Sequence, residues 1–107
     1  MSPKAQRIAI AESVGIRLHD GDHAPSSYTF VSDLPDYLND LNAMHEAENN
    51  IRNSWDTYLS CLIEIRWRDA QPSQHPADLS PTRATAAQRA EAYLRTIGKW
   101  TTNQNEL

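Results

Sequence analysis

The stretch WDTYLSCLIEIRWR, Trp55 to Arg68, carries two competing periodicities. Trp55, Tyr58, Leu59, Leu62 and Ile65 recur at steps of three and four, the spacing of one helix face. Cys61, Ile63, Ile65 and Trp67 alternate with Leu62, Glu64, Arg66 and Arg68, the period of a strand. The helical spacing begins at Trp55, well before the alternation sets in, so the segment reads as a helix. Just upstream, NNIRNSWD is a weak point. Asn50, Asn53 and Ser54 can cap a separate helix, or one long helix runs through.

Further upstream, Asp33 is placed to cap a helix with Pro35 tolerated in its first turn. Leu34, Leu38, Leu41, Met44 and Ile51 follow with helical spacing, flanked by Tyr37 and Ala47. Before it, Ile16 and Leu18 alternate with Arg17 and His19, and Tyr28 to Val31 has high strand preference. The turn-forming DGDHAPSS between them predicts a small antiparallel hairpin with an open loop, packed on helices because it is too small to stand alone. At the start, Ser2 and Pro3 are suited to the N-cap and first position of a short helix. Ile8, Ile10, Ala11 and Val14 lie on its apolar side, and Gly15 ends it.

Downstream, DAQPSQHPADLSPTR holds three prolines and reads as a surface loop. Thr85 and Gln88 have the spacing of a capping box. Ala87, Ala90, Leu94 and Ile97, with Tyr93 beside them, form the expected buried stripe of the last helix. Gly98 stops it, and Trp100 folds back on the core. The expected architecture is α+β: a helix-dominated single domain over residues 1–100, with a short antiparallel β-hairpin packed on three to four helices. Residues 101–107 form a flexible tail.

The chain has 107 residues, 39% hydrophobic and 22% charged, enough for one modest core. Its formal net charge of −4 argues against a general nucleic-acid binder. Cys61 is the single cysteine, so no internal disulfide forms. It sits in an apolar run and reads as an inert thiol. MSPKAQRIAIAES lacks the long apolar core of a secretory signal, and no apolar run approaches the roughly 20 residues of a membrane span. A soluble protein of the cytoplasm is expected.

RIAIAE near the start, LPDYLNDLNAMHEAE in the middle and ATAAQRAEAYLRTIGKW at the end resemble the phage ABA sandwich domain family, small phage and prophage proteins named for an α-β-α layered domain. The blocks occur in the same order with similar separation. The stretch from Arg52 to Arg83 and the hairpin match no family pattern. The resemblance implies an α+β fold and a viral or proviral origin in a bacterial host. It brings no established catalytic residues.

Motif chemistry is sparse. His19, Asp20, Asp22 and His23 put two imidazoles and two carboxylates in five residues, but the order is not that of a calcium loop and zinc needs further ligands. A solvated loop is the plainer reading. HEAEN, from His45, lacks the second histidine of a zinc protease motif, and Asn49 stands in its place. Asp36 and Asp40 are one turn apart and read as a solvated pair rather than an acid/base couple. Neither a metal, a cofactor nor a catalytic residue is expected, and the chain is read as no enzyme.

Two sets of residues remain as ligand candidates. Arg52, Trp55, Arg66 and Trp67, with Arg68, combine guanidinium forks that match phosphate with rings that stack on bases. On a helix, Arg66 and Arg68 do not share a side, and the alternative is arginines paired with Glu48, Asp56 or Glu64. Asn39, Asn42 and His45 are the second set. The asparagines are poor helix formers and are expected to hydrogen-bond the hairpin backbone or a ligand.

These residues suggest a phage counter-defence binder. It would be a homo-oligomer with interfacial pockets that sequester an anionic nucleotide-type immune signal. The alternatives are an inhibitor of a host defence protein, using the acids Asp33, Asp36, Asp40, Glu46 and Glu48 against a basic groove, and a structural accessory protein.

Overall fold

The computed structural model describes residues 1–16, the backbone of 18–19 and 29–30, and residues 33–101, of which 76 and 77 by backbone alone. Four helices carry the fold: α1 (Pro3–Ser13), α2 (Leu41–Glu48), α3 (Trp55–Arg68) and α4 (Ala86–Thr96). α1 begins as its sequence dictates. The Ser2 side chain accepts the Ala5 N–H, and Pro3 occupies a position where no amide donor is needed. The chain leaves the helix through Gly15, whose φ of 92° a residue with a Cβ rarely adopts.

The α+β expectation does not hold. Among the described residues the only extended pairing sets Leu18 against Thr29 and His19 against Phe30, and it is parallel. Two residues per side in that orientation make neither an antiparallel hairpin nor a sheet layer, and the protein is helix-dominated. Local strand preference at Thr29 to Val31 does not suffice, because a ladder needs partners and a packed face to persist. The α-β-α layering implied by the family resemblance is therefore not the arrangement found. The metal reading of residues 19–23 and the tail expected at 101–107 lie outside the described residues, apart from the His19 backbone and Thr101.

The second helix starts later than Asp33. Its cap is Asp40, whose carboxylate accepts the N–H groups of Asn42 at 3.0 Å and Ala43 at 3.4 Å. Pro35 disfavours a start at Asp33, since the residue before a proline, here Leu34, is pushed out of the α region. Residues 36–40 form a turn instead, with the Asp36 carbonyl accepting from Asn39 and Asp40. Leu34 and Tyr37 still reach the core, but from this turn. Leu41, assigned to the apolar stripe, is 44% exposed.

The helix does break at the weak point. Asn49–Ser54 is a 3₁₀ segment in which Ile51 leaves helical geometry at φ −116°, ψ 22°. Ile51 is buried at this break, and its neighbours Arg52 and Asn53 point to solvent. α3 then runs through the ambiguous stretch as a helix, burying Tyr58, Leu62, Ile65 and Arg66. Burial at three- and four-residue steps outweighed the strand alternation.

α4 is the central element, contacting α1, α2 and α3. Its capping box is formed: Thr85 Oγ1 accepts the Gln88 N–H at 3.1 Å and Gln88 Oε1 accepts the Thr85 N–H at 3.0 Å. Ala86, Ala90, Ala92, Tyr93 and Leu94 are buried. Ala86 takes the place expected of Ala87, which is exposed. Small residues let three helices approach α4 closely. One apolar cluster joins Ile10 and Ala11, Met44 and Ala47, Tyr58, Leu62 and Ile65, and Ala90, Ala92, Tyr93 and Leu94, with Trp100 packed on its edge. The proline-rich connection holds two 3₁₀ turns, Pro76–Leu79 and Pro81–Arg83, and buries Leu79.

Candidate functional site

The break between α2 and α3 builds a cleft. His45 and Glu48 come from the last turns of α2, Asn49 and Arg52 from the 3₁₀ segment, and Trp55 from the first residue of α3. The cleft holds about 340 Å³, at the small end of ligand pockets.

Its floor is a charged network. Glu48 is only 4% exposed. Its Oε2 accepts from the Tyr58 hydroxyl at 2.5 Å and from Arg89 Nη1 at 3.0 Å. Its Oε1 faces His45 Nδ1 at 2.8 Å. An ionised carboxylate only accepts, so the imidazole proton sits on Nδ1 and leaves Nε2 for other contacts. Arg89 is locked in turn by the carbonyls of Ala84, Pro81 and Thr82, each at 3.3 Å. Burial, and then the hydrogen bond to Glu48, push the Tyr58 phenol far above its usual range. Three helices thus meet at one compensated carboxylate, and the wall of the cleft is rigid.

The mouth is different. Asn49 Oδ1 accepts from Arg52 Nε at 3.2 Å and Nη2 at 2.8 Å. That contact orients the guanidinium and, among the described residues, leaves Nη1 and one Nη2 proton unused. Among the described residues no carboxylate lies within ion-pair distance of Arg52. Trp55 is 38% exposed and rests against Tyr58, with ring centroids 5.0 Å apart at 46°. The cleft therefore offers an oriented cation, an aromatic surface and an imidazole nitrogen on a floor whose own charges are paired. This combination suits an anionic ligand with a flat ring.

Three of the residues singled out from sequence converge here: His45, Arg52 and Trp55. The other four do not. Arg66 is buried and donates to Gln88 Oε1 at 3.2 Å and to the Asp78 carbonyl, which pins the proline-rich connection to α3. Trp67 is 57% exposed at the far end of α3. Asn39 Nδ2 donates to both oxygens of Asp36, at 3.2 and 3.1 Å, in place of any hairpin backbone. Asn42 is exposed in the first turn of α2, where its N–H is held by Asp40.

Glu48, Tyr58 and Arg89 were not recognised from sequence as a unit. The three-residue spacing of His45 and Glu48 was a usable signal. Arg89 carried a fainter one, as a cation inside an alanine-rich buried stripe.

A larger cavity of about 580 Å³ is lined by Pro3, Lys4, Arg7, Asp36, Leu38, Asn39 and Ala87. Its Arg7 already donates to the Leu34 and Pro35 carbonyls at 2.7 and 3.2 Å, and no aromatic ring among the described residues lines it. Among the described residues no group of three or more His, Cys, Asp or Glu could hold a metal, and no helix is long and apolar enough to cross a membrane. Comparison with family models, curated proteins and solved structures finds no match.

Proposed function

We propose that this protein is a non-enzymatic binder of a small anionic, nucleotide-type ligand, held in the cleft between α2 and α3. The observation that carries this reading is the pairing of Arg52 and Trp55 at one mouth, the guanidinium oriented by Asn49 and, among the described residues, free of any carboxylate. Arg52 meets a phosphate with its Nη1 and Nη2 protons, and Trp55 stacks on the base. His45 Nε2 reaches a sugar or base edge. The three blocks that resemble phage ABA sandwich proteins support placing this activity in phage counter-defence, where the binder sequesters a nucleotide-type immune signal. Such a role needs affinity and no turnover.

The inhibitor reading has less support from the geometry. Of its five acids, Glu48 is buried, Asp40 caps α2 and Asp36 holds Asn39. That leaves Asp33 and Glu46 as the uncommitted members of the acidic face.

Calorimetry against AMP, cyclic mononucleotides, cyclic dinucleotides and cyclic ADP-ribose isomers tests the proposal. Saturable heat with at least one of them is expected. Absence of heat across the whole panel rules it out.

A further inference from the structure

We propose that the ligand of this site is a dinucleotide, two nucleosides joined by one phosphodiester. Its linking phosphate lies at Arg52, one nucleoside occupies the cleft between α2 and α3, and the other occupies an adjoining hollow at the start of α3. This rests on the cleft reading above and names the class of nucleotide.

The hollow holds about 360 Å³ and is lined by Asn53, Ser54, Asp56 and Thr57 together with Arg52 and Trp55. It shares with the cleft the two residues that carry the binding reading, and it is nearly the cleft's equal in size. Each space alone is at the small end of ligand pockets, on the scale of one nucleoside. The break in the chain makes both. Ile51 turns inward in the 3₁₀ segment and leaves Arg52, Asn53 and Ser54 exposed. Ser54 stands at the N-cap of α3, where a serine ordinarily accepts a helix amide. At φ −116°, ψ 27° its side chain makes no such bond. The side chains of Asn53, Asp56 and Thr57 likewise make no hydrogen bond among the described residues. An amide, two hydroxyls and a carboxylate are thus uncommitted in one hollow, beside a cleft whose floor is fully paired.

Charge decides which part of a ligand goes where. Asp56 forms no ion pair among the described residues. A carboxylate accepts hydrogen bonds and repels phosphate, so the hollow suits ribose hydroxyls and base N–H groups. Phosphate belongs at Arg52, on the wall common to both spaces, where Asn49 leaves donors to spare. The Glu48 charge in the cleft floor is already met by Arg89. A phosphodiester brings one negative charge to the one guanidinium of this wall. A terminal phosphate brings about −1.5 to −2 at neutral pH and sets the excess near Asp56. Joining the nucleosides also makes the second contact intramolecular, so that modest hydrogen bonds in an exposed hollow add to affinity.

Calorimetry of the full chain with AMP and with ApA, two adenosines joined by one phosphodiester, tests this. ApA should bind one per chain and about tenfold or more tighter than AMP. Asp56→Ala and the double variant Ser54→Ala/Thr57→Ala should each weaken ApA by about threefold or more, the loss of hydrogen bonds in the hollow. Neither should weaken AMP, and both should keep the circular dichroism spectrum of the parent. ApA that gives no heat, that binds no tighter than AMP, or that binds either variant like the parent overturns the inference. In each of those cases the cleft reading stands if another nucleotide of the panel binds in a manner that Arg52→Ala abolishes, and falls if none does.

Discussion

Glu48 and Glu91 are both buried carboxylates that tie helices together, yet their surroundings differ. Glu48, on α2, takes Tyr58 of α3 and Arg89 of α4, whose side chain is 10% exposed. Glu91, on α4, takes Arg68 and Arg95, each at 2.6 Å, with side chains 49% and 33% exposed. In the first case the cation is as dry as the anion and is held by three backbone carbonyls. In the second, water reaches both cations, and each can be replaced by the other. The same ion-pair chemistry thus gives a rigid internal joint beside the cleft and a soft, redundant one at the far end of α3.

Breaking the first joint should have the largest effect. Arg89→Met leaves Glu48 buried without its cation and should cost about 3–5 kcal/mol, measured by urea denaturation. A loss below about 1 kcal/mol would mean that Glu48 is as well solvated as a surface carboxylate.

Tyr58→Phe removes one donor and should cost about 1–2 kcal/mol. It should also change the alkaline limb of stability. The Tyr58 phenol titrates higher in the folded protein than in the unfolded chain, chiefly through burial. Its contribution is full below the unfolded value of about 10 and declines as pH rises above it. Melting temperatures of Tyr58→Phe should therefore fall less steeply above pH ~10 than those of the parent.

Arg68→Ala at the second joint should cost no more than about 1 kcal/mol, because Arg95 still faces Glu91 and solvent screens the pair. Equal losses for Arg68→Ala and Arg89→Met would erase the distinction between the joints.

The smallest effect concerns acid. The Arg68 guanidinium bonded to Asp69 holds that carboxyl below its usual range. A depressed native value stabilises above the unfolded pKa of about 4 and is lost as pH falls below it. Asp69 is 39% exposed, so the change is slight. Acid titration followed by NMR should show the Asp69 midpoint move up in Arg68→Ala.

The helices were legible where the sequence carries its own local chemistry. Ser2 with Pro3, Thr85 with Gln88, and Gly15 fixed ends that the structure repeats. The spacing from Trp55 to Ile65 outweighed the alternation that began at Cys61. Asp33 was misread because Asp40 has the same capping chemistry and Pro35 sets which of them is used. The hairpin was misread because strand preference at Tyr28 to Val31 says nothing about whether a partner lies beside it in the right direction.

At the site, His45, Arg52 and Trp55 were visible as residue types, but their convergence depends on the non-helical turn at Ile51. Arg66 resembled Arg52 in sequence and differs only in which way its helix position faces. Arg89 could not be matched to Glu48, since 41 residues separate them and no local pattern links the two.

The most direct test sets one arginine against another. Affinity for the nucleotide that gives calorimetric heat should be measured for Arg52→Ala and Arg68→Ala, with melting curves for both. Arg52→Ala should lose about tenfold or more, from the missing charge-assisted phosphate contact. Arg68→Ala should keep near-parent affinity, and Arg52→Ala should melt close to the parent. Unchanged affinity in Arg52→Ala, or equal losses in the two variants, would contradict the assignment of the cleft as the binding site.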